Sequence, residues 1–472
     1  MTAPSDARGG RRADLLAGAG IAVPAALALV AALASPVLGE AAYAMPVLAL
    51  VAAAAAIVLL GALRGRPWAI GAILAFTIVG LNINFRLREI GDVGLDWQNG
   101  TKLATWLAVV GVAAARYRTL AVLLRDPAVA CVAVYGILAL ASAAWSPTPA
   151  YTGANAFGLV AALCLAALIA VDLGTVRALR VSVASLCALM LISLAGGVAV
   201  PDIAFTPPSD VETVYRLQGF SGHPNVLGQQ AVILCLLAVA AWRLRAVGPA
   251  AFLAALALGL ATVMASRSRF ALTAFLVGWA FVVLRRRLPL AAAIAIPALA
   301  AATLVAGIAA VVPLPDPDAL FGELSRTGSA NEITTLTGRT DLWAAAAGRI
   351  AERPLFGWGF NGTEGMLLDA LPKTFVGSAV NAHNMIVQTL LSLGFVGSIP
   401  AFGFLGILVA KAVSAPEPLR DNITVFVLVN GMGEVEIFGT PVLLTLLAYW
   451  AIARHAAEAS RPAGPNAEGV AR

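Results

Sequence analysis

The side chains able to carry chemistry are few. There are three histidines in the chain. His223 sits in Arg216-Leu-Gln-Gly-Phe-Ser-Gly-His-Pro-Asn-Val-Leu-Gly228, and His383 in Asn381-Ala-His-Asn384. Each has an asparagine close by (Asn225, Asn384) and each opens an apolar run; His455 lies near the end of the last one. An unperturbed imidazole titrates near neutral pH and can take a proton from a hydroxyl. His383 is the better candidate for that role. The competing reading for both is a polar helix cap at an interface.

Arginines supply a second chemistry. Arg216, Arg267, Arg269 and Arg339 all stand between apolar runs, two of them in Ser266-Arg-Ser-Arg269. A guanidinium fork binds phosphate oxygens bidentately and keeps its charge, so several converging arginines suit a pyrophosphate. The competing reading is snorkelling or ion pairing. Arg349 and Arg353 read as a solvated helix face. Other chemistries find no motif: there is no P-loop, no dinucleotide fingerprint and no Gly-x-Ser-x-Gly elbow. Asp316-Pro-Asp318 with Glu323 imitates a metal motif, but it stands in a Pro-rich stretch without a nearby histidine, so neither metal nor cofactor is expected. Cys131, Cys164, Cys187 and Cys235 lie inside apolar runs and read as packing residues.

The rest of the chain must position these groups, and its composition says in what solvent. Of 472 residues, 60% are apolar and 12% charged, with a mean hydropathy of +0.89. A soluble domain carries about 25% charged residues. This chain cannot cover a water-facing surface, so most of its side chains face lipid or each other. The net charge of +6 lies in short loops without an aromatic-interleaved basic stripe, and nucleic acid is not an expected partner.

Fourteen runs are candidate spans: 15–35, 41–63, 67–83, 101–115, 128–145, 152–173, 179–200, 224–242, 248–265, 270–284, 288–312, 383–410, 422–437 and 440–454. Segments 101–115, 270–284 and the last two are short enough to be re-entrant, which gives a bundle of about 12–14 helices. With the N-terminus in the cytoplasm, 20 of the 31 basic residues fall inside, as the positive-inside rule requires. The layout is then a cytoplasmic tail (1–14), eleven spans (15–312), a long periplasmic loop (313–382), the remaining spans (383–455) and a disordered cytoplasmic tail (456–472). Residues 15–35 read as a retained first helix rather than a cleaved signal. His223, His383 and the four arginines all fall on the periplasmic side, in loop 201–223, in the 266–269 turn and at the end of loop 313–382. That loop predicts a short helix capped by Thr340, with Asp341 in its first turn, a stripe of Trp343, Ala347 and Ile350, and a stop at Pro354.

These motifs together resemble the O-antigen ligase and polysaccharide polymerase superfamily. The resemblance rests on Leu336-Thr-Gly-Arg-Thr-Asp-Leu-Trp343, Pro354-Leu-Phe-Gly-Trp-Gly359, Ala382-His-Asn384, Leu393-Gly-Phe-Val-Gly397 and the Arg216 and Ser266 segments, and covers roughly 210–400. It implies an all-α, GT-C-like membrane glycosyltransferase whose donor is a glycan on undecaprenyl pyrophosphate. Its acceptor is another lipid-linked repeat for a polymerase, or lipid A core for a ligase. The Leu-Thr-Gly-Arg-Thr wording looks closest to exopolysaccharide polymerases. Under that reading His383 is the general base, and Arg216, Arg267, Arg269 and Arg339 neutralise the leaving pyrophosphate. His223, Asn225 and Asn384 orient substrate, while Trp343 and Trp358 stack on sugars or anchor at the interface. Membrane lipid and polysaccharide export or chain-length proteins are the implied partners. The reading from another class is a transporter of lipid-linked glycans, but no internal repeat or mid-span charge supports one.

Overall fold

The computed structural model describes residues 41–84, 97–206, 215–285, 287–289, 339–363, 366–367, 371 and 381–460. The expected span 15–35, all but the first two residues of 288–312, the Asp316–Glu323 stretch and the tail from 461 lie outside them. The described chain is helical apart from one pair of two-residue strands. The helices are α1 (Ala41–Leu63), α2 (Pro67–Val79), α3 (Trp97–Ala115), α4 (Pro127–Ala141), α5 (Pro149–Leu168), α6 (Thr175–Ala199), α7 (Pro224–Arg243), α8 (Pro249–Ser266), α9 (Arg269–Arg285), α10 (Arg339–Glu352), α11 (Met385–Ser414), α12 (Pro418–Asn430) and α13 (Leu443–Ala459). Strands β1 (Phe205–Thr206) and β2 (Arg216–Leu217) pair antiparallel. The chain is an all-α polytopic membrane protein.

Among the described residues six helices are long and apolar enough to cross a membrane, and a seventh is counted if α3 and its continuation, bent by 80°, are one span. Helices α2 and α9 are shorter and apolar. Helix starts follow a simple rule. Proline opens α2, α4, α5, α7, α8 and α12, where its missing N–H would have no intrahelical partner anyway. Asp126 caps α4 by accepting from the N–H groups of Ala128 and Val129. The last helix runs to Ala459, beyond the expected boundary at 455; Ala456, Ala457 and Ala459 are strong helix formers.

The described residues divide into two compact units, one up to residue 73 and one from residue 74. In the first, Gly65 turns α1 into α2 at a positive φ of 66°. In the second, α7 is the central helix. It packs on α6, α8 and α9, and three quarters or more of its apolar window is buried. Helix α11 lies on α4, α5 joins α3, α4 and α13, and α12 lies on α9. One end of this unit is laced by ion pairs among the basic residues expected inside: Arg116 with Asp172, Lys411 with Asp126, Arg420 with Asp421 and Arg454 with Glu417.

Two of the motifs turn out to be one structural device. Helix α11 is broken at Gly394, whose φ is 63°. The break exposes peptide groups that a membrane interior would leave unpaired at several kcal/mol each. The segment 354–359 repairs it. Trp358 and Gly359 donate N–H bonds to the carbonyls of Leu391 and Ser392 (3.0 and 2.8 Å), and Phe395 and Val396 donate to the carbonyls of Pro354 and Leu355 (2.8 and 3.1 Å). A Cβ on Gly357 would come within 2.6 Å of the Ser392 carbonyl carbon, so the approach requires glycine on both sides.

Helix α10 forms where expected but differs in two details. It starts at Arg339, which puts Thr340 in the first turn rather than at the cap. Its buried face is Leu342 and Ala346, while Ala347 is exposed. The face is set by its packing on α11 through Leu391 and Val387 and on Trp358, with Ile350 at its margin.

Candidate functional site

At the end of the bundle opposite the ion-pair lacing, the N-termini of α7 and α11 meet the chain that leaves α12. His223 is the N-cap of α7: its Nδ1 accepts from the Asn225 N–H at 3.1 Å. Asn384 caps α11, its Oδ1 accepting from the N–H groups of Ile386 and Val387 (3.0 and 3.1 Å), and its Nδ2 donates to the Met432 carbonyl (3.3 Å). These two residues, expected to touch substrate, have capping roles here.

His383 differs. It precedes the cap in the left-handed region, with φ of 43°, held by an N–H bond to Asn381 Oδ1 at 2.9 Å. A residue other than glycine rarely adopts this backbone, and the strain concentrates at functional positions. Its effect is to turn the imidazole so that Nδ1 lies 3.3 Å from Glu434 Oε2. Glu434 in turn accepts on Oε1 from Asn225 Nδ2 at 2.8 Å. Asn225 Oδ1 accepts from Arg216 Nη2 at 2.6 Å, and Arg216 Nε donates to the Ser266 carbonyl at 3.1 Å. A chain of polar contacts therefore runs Arg216–Asn225–Glu434–His383 across three otherwise separate segments. The charges at its two ends fix the amide: Asn225 must offer its oxygen to the guanidinium and its NH2 to the carboxylate. With Nδ1–H directed at Glu434, the other ring nitrogen, Nε2, is left as the acceptor.

The segment that carries Glu434 is rigidly held. Tyr135 donates its hydroxyl to the Phe438 carbonyl (3.0 Å) and Tyr449 to that of Ile437 (3.2 Å). The Phe438 ring packs edge-on against Tyr135, with centroids 5.1 Å apart. Beside this chain is a cavity of about 150 Å³ lined by Tyr151, Gln229, Asn361, Gln388, Glu434 and Thr440, among others.

The arginines divide. Arg216 is 1% exposed and built into the protein, so it holds Asn225 instead of standing open to a donor. Arg267 ends α8 in a left-handed conformation (φ 52°) and is exposed. Arg269 and Arg339 are the first residues of α9 and α10; their side chains lie outside the described set. The two tryptophans belong to packing. Trp343 Nε1 donates to the Ala382 carbonyl (2.9 Å) and Trp358 Nε1 to that of Arg349 (2.8 Å). Arg353, read as solvated, covers the Trp358 ring at 4.0 Å. The four cysteines are free thiols within helices. Among the described residues no cluster of three or more His, Cys, Asp or Glu side chains could hold a metal.

Glu434 and Asn361 are the site residues that sequence reasoning missed. Glu434 was legible only as an acid near a helix end. The expected span 422–437 hid it: the helix ends at Asn430, and Gly431-Met-Gly-Glu434 is a turn, for which the two glycines beside an acid were the available signal.

Residues 253–402, about a third of the chain, match the family model described as O-antigen ligase. No curated protein matches the chain. The matched stretch holds Arg267, Arg269, Arg339 and His383; Arg216, Asn225 and Glu434 lie outside it. This segment is similar to the O-antigen ligase family, which supports placing the chain among the O-antigen ligase-type membrane glycosyltransferases.

Proposed function

We propose that the protein transfers a glycan from undecaprenyl pyrophosphate to a sugar hydroxyl at the periplasmic face of the inner membrane, polymerising lipid-linked repeats of a surface or exopolysaccharide. The observation that carries this is the Arg216–Asn225–Glu434–His383 chain beside the cavity. His383 Nε2 takes the acceptor hydroxyl proton as its oxygen attacks the anomeric carbon. The bond from that carbon to the pyrophosphate oxygen breaks, its electron pair leaves with the pyrophosphate, and the configuration inverts. Glu434 stabilises the imidazolium that forms, as the carboxylate of a Ser-His-Asp triad does. Arg216, through Asn225, holds Glu434 in place. Arg267, Arg269 and Arg339 counter the charge growing on the leaving group, a role that needs no metal. Both chain termini are cytoplasmic in this reading, consistent with the basic bias of the other end.

A second reading, transfer to lipid A core, is favoured by the description of the matched family itself. The experiment is glycan analysis of a deletion strain complemented with wild type, His383→Ala or Arg339→Ala. Both variants should be inserted and folded yet fail to transfer; normal product ladders from both would sink the proposal. In the deletion strain, single repeats still attached to lipid A core mean polymerase, and loss of all attachment means ligase.

A further inference from the structure

The cavity's composition carries the transfer reading one step further, to the kind of sugar that accepts. A transferase of this type must keep two ligands apart: an anionic lipid pyrophosphate and a sugar that offers a hydroxyl. No lysine or arginine lines the cavity among the described residues, and its one charged lining group is the Glu434 carboxylate. A pyrophosphate needs cations, and here it would face a carboxylate. The cavity is therefore on the acceptor side of His383.

Its remaining polar lining is made of amides and hydroxyls, which both donate and accept, as sugar hydroxyls do. Asn361 has φ of 53° at the end of the 354–361 segment and donates Nδ2 to Thr440 Oγ1 at 3.0 Å. That bond turns Asn361 Oδ1 out as an acceptor and leaves the exposed Thr440 hydroxyl proton to donate. Gln388 is a fixed wall, its amide tied to the Ala382 N–H (2.9 Å) and to Ser392 Oγ (3.2 Å). Val226, Val435 and Val442 supply an apolar face for the C–H side of a ring. A cavity of about 150 Å³ takes a ring the size of benzene, so a pyranose, which carries hydroxyls around such a ring, would enter with one face or edge rather than be enclosed whole.

We propose that this cavity is the subsite for the accepting sugar, and that it admits a neutral pyranose and rejects one bearing a carboxylate or phosphate. The rejection comes from Glu434, which thereby has two functions: it orients His383 and it repels an anionic acceptor.

The test uses purified full-length protein in nanodiscs and saturation-transfer NMR. The probes are methyl glucoside, galactoside and mannoside, each beside its uronic acid counterpart. At least one neutral pyranoside should bind saturably, with its uronic acid at least ~10-fold weaker. Thr440→Ala should weaken the neutral sugar about 5- to 10-fold, the equivalent of one hydrogen bond. Glu434→Gln should admit the uronic acid. Equal binding of neutral and acidic sugars, neutral binding that ignores Thr440→Ala, a uronic acid still excluded by Glu434→Gln, or no neutral binding overturns the proposal. Sugar binding as expected in a protein whose transfer does not depend on His383 would sink the transfer reading and leave the sugar site standing.

Discussion

Replacing Glu434 by glutamine isolates what the carboxylate does for His383. The change is isosteric, and a glutamine oxygen can still accept from Asn225 Nδ2, the contact now at 2.8 Å. Packing around the Tyr135- and Tyr449-anchored segment is therefore retained, and the melting temperature in detergent should move little. The other side of the group is different. Where Oε2 now faces His383 Nδ1 at 3.3 Å, glutamine presents an NH2, which favours the wrong imidazole tautomer and removes the charge that stabilises the imidazolium. A hydrogen bond to a charged group contributes about 1.5–3 kcal/mol. The separation is longer than an ideal charge-assisted bond, so the loss falls in the lower part of that range, about 1.5–2 kcal/mol. At about 1.36 kcal/mol per decade this is a fall of roughly 10- to 30-fold in turnover. The assay is the initial rate of glycan transfer in membrane vesicles at equal amounts of folded protein. A rate within about threefold of wild type would refute the pairing of Glu434 with His383 as the proposed base.

Two further outcomes test the scaffold. Gly394→Ala places a Cβ against the Leu355 backbone at a positive φ, with backbone rather than a flexible side chain in the way. It should destabilise by more than ~3 kcal/mol, read as a lowered melting temperature and lost monodispersity in detergent, whereas Gly348→Ala, where the added carbon meets nothing, should be silent. The second concerns acid. Burial alone would raise the Glu417 carboxyl, but the hydrogen bond from His455, the Arg454 charge and the N–H groups of Arg420 and Leu419 outweigh it and bring the pKa from 4.5 down to about 2. A folded pKa below the unfolded one stabilises fully above about 4.5, and that contribution disappears as pH falls towards 2. The amount is about 3 kcal/mol at most. Thermal melts of the detergent-solubilised protein should show an acid limb in that window, and Glu417→Gln should flatten it.

Much of the architecture was readable without coordinates, for reasons specific to a membrane. Lipid imposes a length and an apolarity on each span, so the runs at 152–173, 224–242 and 248–265 recur as helices with nearly the same limits. Proline at the first helical position marks six of the starts. The motifs around Gly357 and Gly394 were legible as signatures, but their purpose was not. That the one repairs the broken backbone of the other depends on contacts between residues about 35 positions apart in the chain.

The sequence by itself determined the solvent, many of the helices among the described residues and a short set of polar residues, His223, His383 and the four arginines among them. Hydropathy and charge are local properties, and each span can be recognised alone. Tertiary structure decided which of those residues act together. It made His223 and Asn384 caps, built Arg216 into the protein as a support, and gave Trp343 and Trp358 to packing. It also brought in Glu434, 51 positions from His383, to complete the polar chain. A carboxylate has no meaning to an imidazole until helix packing sets the distance between them, and that distance is a property of the whole bundle.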